Sequence, residues 1–119
     1  MGSITIVGLG PGSFGCMSLE TWDLIRKTPV LLLRTEIHPT VDELRARGVV
    51  FESYDALYEQ GEDFDAIYAA ISADVLRRAA QGEDVVFAVP GSPMVAEKTV
   101  GLIRKAADGR QIPLAILPG

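Results

Sequence analysis

The stretch DFDAIYAAISADVLRRAAQGEDVVFAVPGSP, residues 63–93, decides how this chain folds. Phe64, Ile67, Tyr68, Ile71, Val75, Leu76 and Ala79 recur at the three- and four-residue steps of a single helical face. Arg77, Arg78 and Gln81 lie off that face. Asp63 stands where an N-cap belongs, and Gly82 where a left-handed residue closes a helix. Val85 to Val89 follows as an unbroken apolar run, the mark of a strand covered on both faces. A helix that delivers the chain into such a strand is half of a parallel crossover unit.

Working outward, the same reading finds strands at Ile4 to Gly8, Val30 to Leu33, Val49 to Ser53 and Ile112 to Leu117. Each gap between strands is long enough for a crossover and holds a helical pattern. Ser18 caps the first helix. Thr40 with Glu43 forms a capping box that opens the second, which Gly48 ends. Ser92, with Pro93 at the first helical position, opens the fourth. That helix turns Val95, Thr99, Leu102, Ile103 and Ala106 to one side and stops near Gly109. The order βαβαβαβαβ predicts an α/β fold: an open, mostly parallel five-stranded sheet with helices on both faces. The last strand runs into Pro118-Gly119 without a closing helix, so the expectation is one lobe of a longer protein.

Composition narrows the function. With 48% hydrophobic and 23% charged residues among 119, the chain reads as one globular domain. Eleven basic residues against sixteen acidic give a net charge of −5, which argues against nucleic acid and anionic membranes as partners. The longest apolar run, Pro29 to Leu33, has strand length and not the roughly 18 residues of a membrane span. The single cysteine, Cys16, excludes an internal disulfide framework and suits a reducing cytoplasm. The expected ligand is a small molecule.

Ligands of open α/β sheets bind beyond the carboxyl ends of the strands. Three segments reach that rim. Gly8-Leu9-Gly10-Pro11-Gly12-Ser13 follows the first strand; Arg34, Glu36 and His38 follow the second; Pro90-Gly91-Ser92-Pro93 follows the fourth. The first segment fails the dinucleotide fingerprint, because Ser13 stands where glycine is needed and Arg34 where a ribose-binding acid is needed. A dinucleotide-binding oxidoreductase domain is thereby disfavoured. No lysine follows the glycines, so a P-loop is absent too. The Pro90–Pro93 turn is stiff and narrow, with two prolines around a glycine that lets a ligand approach the backbone.

Together these residues resemble the tetrapyrrole (corrin/porphyrin) methylases. Gly8-Leu9-Gly10-Pro11-Gly12 is similar to their G-x-G-P-G-D signature, and Pro90-Gly91-Ser92-Pro93 stands where they carry a Gly-Asp-Pro loop. Ile116-Leu117-Pro118-Gly119 matches their later Val-Pro-Gly segment. Leu33-Arg34-Thr35-Glu36-Ile37-His38-Pro39, with Ala88-Val89-Pro90-Gly91, looks closest to the methylase-like domain fused in many bacteria to a nucleoside triphosphate pyrophosphohydrolase.

The resemblance implies a two-lobed methyltransferase that binds S-adenosyl-L-methionine between its lobes, with residues 1–119 as the N-terminal lobe. Pro11, Pro90, Gly91, Ser92 and Val95 then correspond to cofactor-contacting positions. Gly10, Gly12, Arg34, Glu36 and His38 are the candidates for contact with a small-molecule methyl acceptor, a tetrapyrrole in the family's own chemistry. A homodimer is expected, and the lobe alone is expected to be inactive. The chain departs from the pattern at Ser13 and Ser92, where the family has aspartate. It departs again at Arg34, where some members carry an aspartate for proton transfer and a guanidinium cannot act as base. A non-catalytic regulatory or docking domain is therefore the alternative.

The other chemistry-bearing residues read as structural. His38 lacks Cys or His neighbours for a metal site and is read first as a surface or packing residue. Arg34 and Glu36 could form an exposed ion pair with each other. Cys16 is expected buried and inert, Trp22 in core packing, Tyr54 and Tyr58 in packing or loops, and Glu59 to Asp63 in a solvated loop.

Overall fold

A computed structural model describes residues 1–60, 63–95 and 97–117. Strand β1 (Ser3–Gly8) leads through a 3₁₀ turn (Phe14–Cys16) into α1 (Leu19–Lys27) and β2 (Val30–Leu33). Then come α2 (Pro39–Ala46), β3 (Glu52–Ser53), the one-turn α3 (Asp55–Tyr58) and α4 (Phe64–Ala80). The chain continues with β4 (Asp84–Val89), α5 (Lys98–Arg110) and β5 (Leu114–Leu117). The five strands pair in the order β3-β2-β4-β1-β5, and every pairing is parallel.

Alternation along β4 builds both layers. Val85, Phe87 and Val89 point to one side, with Ile67, Ile71, Val75 and Leu76 of α4 and Val100, Ile103 and Ala107 of α5. Val86 and Ala88 point to the other, with Ile25 of α1 and Val41 and Leu44 of α2. The helices therefore cover both faces, as expected. Since α1 leaves β1 towards one face and α5 leaves β4 towards the other, the adjacent β1 and β4 form a topological switch point, where the crevice of such a sheet opens.

Helix α4 follows its sequence signals closely. Asp63 Oδ1 accepts from the Ala66 N–H at 2.8 Å, and Gly82 takes φ +104° after the C-cap. Ser18 caps α1 as expected, its hydroxyl accepting from Thr21 N at 3.1 Å. Four expectations are corrected. Phe64 is 65% exposed and stacks on Tyr68 instead of joining the buried stripe. The third strand is only Glu52–Ser53, with Val50 left in solvent, a short edge that discourages pairing with other chains. Helix α2 starts at Pro39 with His38 as N-cap, so Thr40 is no cap; it is fully buried inside the first turn. Helix α5 starts at Lys98, not at Pro93, and runs past Gly109 to a left-handed Gln111. The Pro118-Gly119 end of the Ile116–Gly119 motif lies outside the described residues, as do Gly61 and Glu62 of the acidic stretch.

Charges fasten the short β3 edge to α4. Arg78 grips Glu83 with two hydrogen bonds of 2.7 and 3.0 Å and reaches Glu52 at 2.8 Å. The Tyr54 hydroxyl donates to Asp74 at 2.7 Å, and burial, with that bond, pushes the phenol well above its usual range. Partial burial pushes the Asp74 carboxyl upward, but its bonds to Arg77 and Tyr54 outweigh that and hold it below the ordinary carboxylate value. Arg78 holds Glu83 below it as well. Carboxyls lowered by folding stabilise above their unfolded values and lose that contribution as pH falls through the lowered folded ones. Stability in urea is accordingly expected to be flat near neutrality and to drop below about pH 4. Asp74→Asn should cost about 1 kcal/mol at neutral pH by weakening the Tyr54 bond, and should make that acid drop shallower.

Candidate functional site

The crevice at the switch point is floored by a backbone contact between two loops. β1 lies against β4 through to its end, where Gly8 pairs with Val89. A Cβ on Gly8 would sit 2.3 Å from Gly91 O and 2.9 Å from Pro93 Cδ, so a side chain there is excluded. Beyond it Leu9 N donates to Val89 O at 2.9 Å, while the Leu9 side chain is buried among the α1 and α2 residues. Gly10 and Gly91 then exchange both backbone hydrogen bonds, at 3.1 and 3.0 Å, as an isolated antiparallel bridge. Both carry positive φ, +83° and +67°, which glycine adopts freely. Space stays open above Gly12 and Gly91, where a Cβ would meet no atom within 4 Å. Pro11 is exposed, and Pro90, Gly91 and Ser92 are half-buried, so these expected cofactor positions share one rim with Gly10 and Gly12.

The segment after β2 clamps this floor from the side. Thr40 N donates to His38 Nδ1 at 3.1 Å, which leaves the hydrogen on Nε2; that nitrogen faces Gly10 O at 2.9 Å. His38 thus caps α2 and holds the first loop with opposite edges of one ring. The buried Thr40 hydroxyl donates to Gly12 O at 3.1 Å. Farther along, Phe14 meets Trp22 edge-on, with centroids 5.1 Å apart, and the Arg47 guanidinium lies 4.3 Å from the Phe14 ring centre. Trp22 therefore packs as expected, half-buried, whereas Cys16 is exposed and not buried.

Arg34 and Glu36 do not pair with each other. Glu36 is turned to Arg45 and accepts from Ser53 Oγ at 2.7 Å, while its N–H donates to Asp55 at 2.7 Å. Thr35 donates to the same Asp55 at 2.6 Å. Arg34 instead donates to the Tyr58 hydroxyl at 2.9 Å and faces Glu97 at 3.3 Å. Burial raises the Tyr58 phenol, and Arg34 pulls it part of the way back. The pairing partners Asp55, Tyr58 and Glu97 carry no motif. The only sequence signal for them is the placing of a cation, Arg34, at the end of a strand on the sheet rim.

The turn after β4 differs from its expected form. Ser92 Oγ accepts from Met94 N at 3.2 Å and Ser92 O from Val95 N at 3.3 Å, so serine caps a tight turn and not the long helix. Met94 and Val95 stand 59% and 71% exposed on the same rim, so Val95 is not packed beneath α5. Among the described residues no group of His, Cys, Asp and Glu gathers as a metal site, and no helix is long and apolar enough to cross a membrane.

Comparison with known proteins agrees with this fold. The model of the family Tetrapyrrole (Corrin/Porphyrin) Methylases matches residues 3–119. An uncharacterized protein, YabN of Bacillus subtilis (strain 168), is 39% identical over 118 residues, which cover 99% of this chain and 24% of that protein. Native uroporphyrin III C-methyl transferase from Thermus thermophilus superposes with a TM-score of 0.69 at 24% identity, over 99% of this chain and 44% of the enzyme. A structure of the same kind of enzyme, complexed with S-adenosyl homocysteine, superposes with a TM-score of 0.69 at 23% identity, over 99% of this chain and 45% of its own. The chain thus spans about a quarter of the curated relative and under half of the solved enzymes.

Two substitutions probe the floor. Gly8→Ala should force the Gly91 backbone away and cost about 1–3 kcal/mol by overpacking. His38→Ala should cost about 1–2 kcal/mol through loss of the cap and the Gly10 contact, as read by urea unfolding. The fluorescence of Trp22, the chain's one tryptophan, reports whether the Phe14 contact moves with the loop.

Proposed function

The chain belongs to the tetrapyrrole (corrin/porphyrin) methylases, and on that premise we propose that it forms one wall of a methyltransferase cleft for S-adenosylmethionine. A second lobe, absent from residues 1–119, completes the cleft in this reading. The observation that carries it is the Gly10–Gly91 bridge at the switch point, which joins both family loops into one rim. The rim suits a compact ligand because open space lies over Gly12 and Gly91, where no side chain intrudes. Pro11, Pro90, Gly91, Ser92 and Val95 would line it. S-adenosylmethionine supplies a methyl group already activated on a positively charged sulfur.

The wall's own share is alignment. His38, Glu36, Asp55 and Arg34 each have partners within the chain. A positioned pair of reactants can gain several kcal/mol without an acid–base group. Gly10 and Gly12 belong to the rim offered to the acceptor, which we assign to the family's small tetrapyrrole class. Arg34, Glu36 and His38, each held by partners within the chain, flank that rim as further candidates for acceptor contact. The same pairing favours a second reading, a methylase-like binding domain without turnover. The greater length of the relative leaves room for a second lobe and for a fused pyrophosphohydrolase. In the full protein we place the activity in the cytoplasm, as a homodimer.

Calorimetric titration of S-adenosylhomocysteine into this chain, and into a form extended by the natural downstream sequence, tests the proposal. Binding to the extended form alone is the expected result. Binding to neither form overturns the cofactor cleft. Methyl transfer by the extended form excludes the reading without turnover.

A further inference from the structure

We propose that Arg34 and Glu97 act as one positioning pair, which holds the turn after β4 against the end of β2. The proposal rests on the reading of that turn as a wall of the cofactor cleft. Parallel pairing of β2 with β4 brings the two ends together, and Arg34 N donates to Ala88 O at 3.0 Å. The guanidinium that follows reaches across to the chain just before α5. Both side chains are mostly withdrawn from water, at 19% and 11% exposure, so each charge depends on the other.

The geometry is lopsided. Arg34 Nε lies 3.3 Å from Glu97 Oε2 but outside hydrogen-bond alignment; among the described residues it is the buried side-chain atom left without a hydrogen-bond partner. Beyond Glu97, the Arg34 fork has the neutral Tyr58 hydroxyl as its hydrogen-bond partner. Glu97 has further support. Its other oxygen accepts from Thr99 Oγ1, and it sits at the N-cap of α5, where the helix dipole favours a negative charge. Glu97 makes no side-chain cap bond, so capping does not explain its burial.

The turn is consequently pinned at both ends. The Gly10–Gly91 bridge holds its start, and Arg34 holds its finish through Glu97. Between these points, among the described residues, Ser92 accepts hydrogen bonds from Met94 N and Val95 N within the turn. At the end of β2 this chain therefore carries a cation that fixes the neighbouring loop.

Amide hydrogen exchange of the whole chain tests the pair, with R34M, E97Q and R34M/E97Q compared. E97Q should accelerate exchange of the Gly91, Met94 and Val95 amides by roughly tenfold or more, since it strands a buried cation. R34M should do less, because Glu97 keeps Thr99 and the helix end. The double variant, with neither charge left, should exchange more slowly at these amides than E97Q. Single effects that simply add in the double variant would overturn the proposal. So would acceleration shared equally by Ile6 and Phe87 in the sheet core, which reports general loss of stability. If E97Q does not fold, E97D keeps the charge at shorter reach, and its acceleration must likewise be confined to the turn.

S-adenosylhomocysteine binding to the extended protein supplies a second measurement. E97Q should weaken it about tenfold, read well below that variant's own Tm so that the loss reports the turn and not unfolding. Failure of the unsubstituted extended protein to bind would refute the cofactor reading, while the exchange pattern would still decide the pair.

Discussion

The absence of a side chain at Gly8 lets β1 and the turn after β4 come together. The last residue of β1 lies so close to Gly91 O and Pro93 that no Cβ fits between them. This approach lets the next two residues continue the contact, first Leu9 to Val89 and then the reciprocal bonds of Gly10 and Gly91. The two loops depart to opposite faces of the sheet, yet they remain joined at their base. A crevice left by topology alone would have two independent loops as walls. Here it has a shared, hydrogen-bonded floor, and the entropy of ordering those loops is lost on folding instead of on ligand binding.

Around that floor the charges are arranged for shape. His38 spends one ring nitrogen on the start of α2 and the other on Gly10 O. Glu36 and Asp55 are occupied by Arg45, Ser53, Thr35 and backbone N–H. Arg34 is balanced by Glu97 and bonded to Tyr58. Each of these side chains thus holds a part of the scaffold in place. Under the proposed methyl transfer the electrophile arrives already activated, and such a rim would contribute alignment.

The helices and loops differ in how legible they were. Helix α4 was readable because its signals are local: an aspartate cap, a repeat of apolar residues every three or four positions, and a closing glycine. The start of α5 was misread because Ser92 and Pro93 satisfy the same local rule. Ser92 does cap backbone N–H groups, but those of a tight turn that the Gly10–Gly91 bridge holds at its start. Thr40 was misread likewise. Its hydroxyl could cap a helix, but the first loop passes close enough to bind it, and His38 serves as cap instead. Cys16 turned out exposed because the loop after β1 runs over the surface before α1 begins.

By itself the sequence determined the layered α/β architecture, both glycine–proline loops at the strand ends and the resemblance to the methylases. These rest on periodicity, composition and short motifs, whose physics acts within a few residues of the chain. Only the tertiary structure decided the strand order β3-β2-β4-β1-β5 and, with it, which loops meet. It also decided that Glu97 answers Arg34, that Gly10 answers Gly91 and that His38 clamps the floor. Each of those contacts joins segments far apart in the chain, and burial makes each partner's charge or hydrogen bond depend on a neighbour that local sequence does not specify.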